Sequence, residues 1–200
     1  MKKTISALIL TTLLLTGCFT PPMGAFLPTH YYRLDLPAPA ATMSDAKSPD
    51  KLLIKVQTAD SLRGPRIVMA RSDYELFYEE EHRWSEPLSK GVSRLMAEQL
   101  SPFFAEVQSV PTPSGFAPTQ RVEVTIEKLW GTPRGEIILE ADWTITDAHD
   151  SPIAAGHQTF REKGWNTGNY QAFAERVSKL VGELSKAVRE SLSTLDAAKK

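Results

Sequence analysis

Cys18 has the most distinctive chemistry in the sequence, because it is the single cysteine of the 200-residue chain and directly follows an apolar run. Its thiol is a nucleophile that forms a stable thioether, which a serine hydroxyl in the same place would not do. A lone cysteine in an exported protein can also stay unmodified or form a disulfide with another molecule. Cys18 is therefore either a site of covalent modification or an odd thiol.

The other residue types that support catalysis or metal binding lack the necessary spacing. The four histidines form no H-E-x-x-H or H-x₃₋₅-H pattern and have no cysteine partners: His30, His82, His149 and His157. The chain also lacks a G-x-S-x-G nucleophile motif and a glycine loop for phosphate. We therefore expect a protein that is not an enzyme and that has no catalytic residues, no metal and no cofactor.

Charge patterning points to no special ligand either. Three consecutive carboxylates, Glu79, Glu80 and Glu81, could be imagined as a cation site, but on a strand or turn they point in different directions and are expected to form a solvated edge. The chain has a net charge of −1 and no long run of Lys or Arg. Nucleic acid is therefore not an expected partner.

The first seventeen residues have the arrangement of an export signal. Lys2 and Lys3 precede an apolar stretch from Ile5 to Leu15, and two small residues, Thr16 and Gly17, follow it. The stretch is too short to span a bilayer. We predict a signal peptide over residues 1–17, whose removal takes away two lysines and lowers the net charge from −1 to −3.

The four residues Leu15-Thr16-Gly17-Cys18 resemble the lipobox of bacterial lipoproteins. The resemblance implies a diacylglycerol on the thiol of Cys18, cleavage before it and acylation of the new amino group. Two or three acyl chains make a durable anchor, since one chain holds only marginally. Phe19 stands where Asp commonly signals retention in the inner membrane, so the resemblance implies attachment to the outer membrane at its periplasmic face.

The mature chain is predicted to hold a flexible tether and one domain. Residues 18–29 contain three prolines, one glycine and no charge, which indicates a tether of about 36 Å when it is fully extended. Residues 30–196 form the domain. Its first strand is expected at His30 to Leu36, and a mobile loop rich in Ala, Pro, Ser and Asp follows it.

Alternating and helical patterns then predict the remaining elements. Strands are expected over 51–59, 66–71, 74–78, 104–110, 122–126, 137–145 and 153–161. Ser85 is expected to cap a helix that begins at Glu86-Pro87, and 166–169 to cap a final helix from Tyr170. The fold class is α+β: one domain with a mostly antiparallel or mixed sheet of about six strands and two amphipathic helices on one face.

Tryptophans are the candidate contact residues. Trp143 falls on the apolar face of its predicted strand and is expected in the core. Trp130 and Trp165 lie beside turns, where an aromatic side chain can serve as a partner-binding anchor or pack into the core. Both alternatives stay open for these two residues.

Two segments carry a resemblance to a known family. Tyr31-Tyr32-Arg33-Leu34 and LRGPRIVMARSDYELFYEEEHRWSEPL (62–88), after the lipobox, are similar to the ABC-type transport auxiliary lipoprotein family, the group that includes the PqiC (YmbA) proteins. Arg66-Ile67-Val68, Arg71, Tyr74 and 84–88 are its most specific residues. The second half of the chain matches only in pattern.

The resemblance implies a non-enzymatic lipoprotein that works with a periplasm-spanning MCE-domain protein (PqiB-like). The resemblance also implies that the lipoprotein is a homo-oligomer. It would be a docking or scaffold component of an MCE-type intermembrane phospholipid transport system that maintains the envelope. Two other functions stay open from the sequence: a periplasmic lipid carrier, and a lipoprotein activator of a cell-wall synthase.

Overall fold

A computed structural model describes residues 27–39, 47–111 and 114–198. Residues 1–17 and Cys18, with the tether as far as residue 26, lie outside the described part. The strands are β1 (His30–Tyr32), β2 (Ser48–Thr58), β3 (Arg66–Ser72), β4 (Glu75–Trp84), β5 (Phe104–Ser109), β6 (Gln120–Gly131), β7 (Glu136–Asp147) and β8 (Pro152–Lys163). The helices are α1 (Leu88–Leu100) and α2 (Tyr170–Ala198), and a 3₁₀ turn spans Asp60–Leu62.

The strands form one mixed sheet that is organised around β6. On one edge of β6, the antiparallel strands β7 and β8 follow in succession. The other edge is shared by two strands. β2 pairs with the first half of β6, and β3 pairs with β6 through a single register pair, Met69 with Gly131. The strands β5, β4 and β1 complete the sheet of eight strands, so the expectation of about six is roughly right and the α+β fold is confirmed.

Both helices pack on one face of the sheet, and they also pack on each other. Helix α1 contacts β2 and β5, while α2 contacts β7 and β8. The apolar residues of β6 and β7 that face the helices are fully or nearly fully buried: Val122, Val124, Ile126, Leu129, Ile137, Leu139, Ala141, Trp143 and Ile145. The opposite side of the sheet, here called the open face, carries mostly charged and polar side chains.

The first strand is shorter than expected, because it ends at Tyr32 and not at Leu36. Beyond it the chain crosses the two helices, where side chains bind its backbone. The guanidinium of Arg94 donates to the carbonyl of Leu34 at 2.7 Å, and the amide of Gln99 donates to the carbonyl of Leu36 at 3.1 Å. These donors take the place of a neighbouring strand.

Of the two predicted helix caps, one is wrong and one is confirmed. Ser85 does not cap α1: the capping position is Pro87 without a side-chain hydrogen bond, and the amide of Ser85 instead donates to the carbonyl of Tyr32. Asn169 does cap α2, since its side-chain oxygen accepts a hydrogen bond from the amide of Ala172 at 3.0 Å. Within the described ranges, neither helix is long and apolar enough to cross a bilayer.

Candidate docking surface

Trp165 lies in the core. Its side chain is 3% exposed, its ring meets Phe173 edge-on at 5.2 Å, and its indole donates to the carbonyl of Asn169 at 2.8 Å. Gly135, at the turn between β6 and β7, approaches the carbonyl oxygen of Trp165 so closely that a Cβ would lie 2.5 Å from it. The described fold therefore gives Trp165 the packing role, as it does Trp84 and Trp143.

Trp130 faces the other way because β6 contains a bulge. Val122, Val124 and Ile126 alternate toward the core, and a register shift between Ile126 and Lys128 inserts one extra residue. Beyond the bulge the parity is reversed, so Leu129 is buried while Trp130 is half-buried on the open face. Without that extra residue, strict alternation would have turned Trp130 into the core.

Trp130 lies in a groove of about 810 Å³ on the open face. We call this the Trp130 groove; its lining comes from the β3–β4 hairpin, the β6–β7 hairpin and β8, and it comprises Ala70–Tyr74, Leu76, Lys128, Trp130, Thr132–Arg134, Glu136, Ile138, Glu140 and Arg161. β3 pairs with β6 only through Met69 and the last residue of β6, Gly131, and the β3–β4 hairpin forms one wall of the groove.

The floor of the groove is apolar. Trp130, Ile138 and Leu76 are each only partly buried, and Tyr74 at the hairpin tip is fully exposed. A cluster of aromatic and aliphatic side chains that remains open to solvent is the kind of surface that another molecule covers. Its residue types, with Trp, Tyr and Arg together, are those that dominate binding energy at protein interfaces.

Cross-strand ion pairs order the polar rim. The ammonium of Lys128 lies 2.9 Å from Glu140, and the guanidinium of Arg161 lies 3.2 Å from Glu136. Arg71 pairs with Glu75 at 2.7 Å and also lies over the ring of Phe77, 5.0 Å from its centroid. These pairs are partly exposed, so they contribute more to the shape and selectivity of the rim than to stability.

A second cluster of polar side chains, the His82 cluster, joins β1, β4 and α2; it consists of His30, Tyr32, Glu79, His82 and Tyr170. The ring of His82 stacks on Tyr170 at 3.8 Å and on His30 at 5.5 Å, and its Nδ1 lies 2.9 Å from the hydroxyl of Tyr32. The hydroxyl of Tyr170 donates to Glu79. Glu79 is therefore not part of a solvated edge as expected, although the exposed Glu80 is.

Burial controls ionisation within the His82 cluster. Desolvation lowers the pKa of His82, against the opposing charges of Glu79 and Glu81. Desolvation also raises the pKa of Tyr170, and the hydrogen bond to Glu79 raises it further. Sequence reasoning missed this cluster because Tyr170 is far from Glu79 and His82 along the chain.

The residue types of the Trp130 groove are suited to binding. No group of three or more His, Cys, Asp or Glu side chains is placed to hold a metal ion in the ranges that the structure describes. The Trp130 groove presents aromatic rings and paired charges rather than a nucleophile beside a base.

Solved structures resemble this fold at low sequence identity. A Xanthomonas campestris protein of the DUF330 family has a TM-score of 0.70 at 13% identity, covering 86% of this chain and 100% of that chain. The crystal structure of an uncharacterized protein has a TM-score of 0.66 at 16% identity, covering 82% of this chain and 99% of that one. Both likenesses concern the fold. No curated protein sequence matches this chain.

A match between the sequence and a protein-family model is more specific than these structural likenesses. It covers the domain from the end of β1 to the C-terminal part of α2, and it agrees with the resemblance carried by residues 31–34 and 62–88. The chain belongs to the family of ABC-type transport auxiliary lipoprotein components, whose model matches residues 32–189.

Proposed function

We propose that this chain is a non-enzymatic outer-membrane lipoprotein, anchored through Cys18 and facing the periplasm. It docks a periplasm-spanning MCE-domain protein (PqiB-like) of an intermembrane phospholipid transport system, and it works as a homo-oligomer. Membership of a transport auxiliary family supports the transport role. The finer assignment to an MCE system extends that membership.

One observation carries the docking role: the Trp130 groove leaves an apolar floor open to solvent, on the side of the sheet opposite the two described helices. Trp130 is the proposed anchor there. Trp165, the other predicted anchor, would have to leave its packing against Phe173 to reach a partner, so we give it no direct contact.

Site-specific photo-cross-linking in cells tests the contact. A photoreactive amino acid replaces Ile138 in the groove or, as the control, Thr144, an exposed residue on the same face of β7. We expect an adduct with the MCE-domain protein, identified by mass spectrometry, from position 138 and not from position 144. Equal adducts from both positions, or an adduct with a cell-wall synthase instead, would contradict the proposal.

The anchor is tested separately. We expect Cys18→Ser to leave the precursor uncleaved and without acyl chains, because the hydroxyl cannot replace the thiol. Mass spectrometry of the purified protein measures both. Normal outer-membrane fractionation of this variant would refute lipid attachment at Cys18 but would leave the docking contact untouched.

A further inference from the structure

Two arginines and a tyrosine form a row across three strands of the open face, at the end of β3 remote from the Trp130 groove. Tyr31 of β1 is the register partner of Arg83 of β4, and Arg83 is the register partner of Arg66 of β3. Their neighbours Ile67 and Trp84 are buried on the helix side. Because side chains alternate along a strand, the three residues point to the open face.

The charges in this row are not balanced. Residues directly opposite each other on adjacent strands have Cβ atoms about 5 Å apart, and like charges in that position repel. Arg66 is neutralised by Glu80, whose carboxylate lies 3.1 Å from its guanidinium. Arg83 makes no ion pair within the described ranges, so the group of Arg66, Arg83 and Glu80 keeps one positive charge.

The side chain of Arg83 is partly withdrawn from solvent. Its Nε is buried and has no hydrogen-bond partner among the residues that the structure describes, although the residue as a whole is only partly buried. Buried polar nitrogens are normally hydrogen-bonded, so the placement of this one is unfavourable for the fold alone. The terminal nitrogens of the guanidinium are the part that an acceptor can reach from solvent.

The geometry points to a binding site for a phosphate group, held by the terminal nitrogens of Arg83 and Arg66. A guanidinium presents a planar fork of N–H donors that matches phosphate oxygens, and a tetrahedral phosphate can accept from two such forks at once. Tyr31, the register partner of Arg83, is 63% exposed and can contribute its hydroxyl as a further donor. Glu80 is largely exposed, so phosphate can compete with it for Arg66.

This site is independent of the docking role in the Trp130 groove. Phosphate can come from a phospholipid headgroup or from the free ion, and both share the same recognition chemistry. An acidic side chain of a protein partner is the competing occupant, but a carboxylate has only two oxygens to share between two guanidinium groups.

Calorimetric titration of the purified lipoprotein in a non-ionic detergent tests the site. The two probes are inorganic phosphate, at an ionic strength held constant with chloride, and monomeric dihexanoyl phosphatidylglycerol. We expect Arg83→Gln to weaken binding about tenfold. The control Arg63→Gln removes the same charge from a nearby exposed residue, which pairs with Asp60, and should change the affinity less than about twofold.

A stability measurement separates binding from a structural role. In chloride alone, Arg83→Gln should unfold at the same urea concentration as the wild type or at a higher one, because it removes an uncompensated charge beside Arg66. A lower midpoint would mean that Arg83 serves the fold and would count against the site. Arg66→Gln provides a second variant, and it should weaken phosphate binding as well.

The two probes distinguish the source of the phosphate. Phosphatidylglycerol binding at least about tenfold tighter than inorganic phosphate identifies a lipid headgroup, whereas equal affinities identify the free ion. Binding of neither probe, or equal binding by wild type and Arg83→Gln, overturns the inference. Binding of a polyglutamate peptide alone would assign the surface to an acidic protein and would overturn it as well.

Discussion

The two faces of the β6–β7 hairpin use tryptophan for opposite purposes. On the helix side, Trp143 is buried, and its indole donates to the hydroxyl of Ser191 at 3.3 Å. On the open face, Trp130 is half-exposed in a groove with a charged rim. The same two strands thus provide a core surface and the surface that we propose for partner contact. The bulge in β6 turns Trp130 to the open face, whereas Trp143 follows the unbroken alternation of β7.

Replacing each tryptophan by alanine should give the largest difference in stability between the two faces. We expect Trp143→Ala to lower the free energy of unfolding by about 3–5 kcal/mol, because it leaves a large cavity between the sheet and α2. Trp130→Ala removes a half-exposed side chain and should lower it by about 1 kcal/mol. Urea denaturation measures both, and equal losses would mean that the open face is part of the core.

Gly156 of β8 leaves the space that the ring of Trp143 occupies. A Cβ at this position of β8 would lie 2.2 Å from the ring of Trp143, so only glycine fits without displacing the indole. Gly156→Ala should lower the free energy of unfolding by about 1–3 kcal/mol through overpacking. The control is Gly64→Ala, since no described residue lies within 4 Å of a Cβ there. A stable Gly156→Ala protein would show that Trp143 repacks freely.

A side-chain cap stabilises the N-terminus of α2, the helix that covers Trp143. Asn169→Ala removes the hydrogen bond from its side-chain oxygen to the amide of Ala172 and should lower the free energy of unfolding by about 1 kcal/mol. Asn166→Ala is the matched control, because Asn166 uses its backbone carbonyl rather than its side chain in this turn. Chemical denaturation of both variants should separate them; similar values would argue against the cap.

Acidification should have the smallest effect, and it acts on the His82 cluster beside the covered face. The folded state lowers the pKa of His82 below its usual value of 6.5, so the unfolded state takes up the proton first. This contribution to stability is complete above pH 6.5 and is lost as the pH falls toward the lower pKa of the folded state. His30, Tyr32 and Tyr170, with Glu79 and Glu81, surround the imidazole.

Urea denaturation at pH 7.5 and 5.5 measures this effect. We expect the wild type to lose more stability on acidification than His82→Gln, which cannot be protonated. Carboxylates that titrate at lower pH affect both proteins alike. An identical loss in the two proteins would show that the imidazole of His82 is as easily protonated in the fold as in the unfolded chain.

The sequence predicted the sheet well where one face is buried and the other is wet. Alternation along β6 and β7 identified their strands and the burial of Trp143. It could not determine the orientation of Trp130, since a bulge of one residue reverses the parity and leaves little trace in the pattern. The alternating leucines after Tyr32 predict a strand there. The backbone carbonyls of this segment instead accept hydrogen bonds from the side chains of Arg94 and Gln99.

Distant contacts explain what else the sequence could not provide. Trp165 follows a strand and precedes a turn, so only the return of α2 over the sheet decides that it is buried against Phe173. Stacking of His82 on Tyr170 likewise joins residues from the two halves of the chain. The lipid anchor at Cys18 and the docking partner are predictions from sequence resemblance and family membership, and they stay predictions.

We propose that the open face carries the docking contact through Trp130. The most direct test of this contact is the dissociation constant of the purified lipoprotein for the cognate MCE-domain protein. The variants are Trp130→Ala and Tyr78→Ala, a control that removes a 42% exposed aromatic outside the groove. We predict that Trp130→Ala weakens binding at least about tenfold, or by more than about 1.4 kcal/mol, while Tyr78→Ala changes it less than about twofold. Unchanged affinity of Trp130→Ala, with its fold intact, would contradict the account.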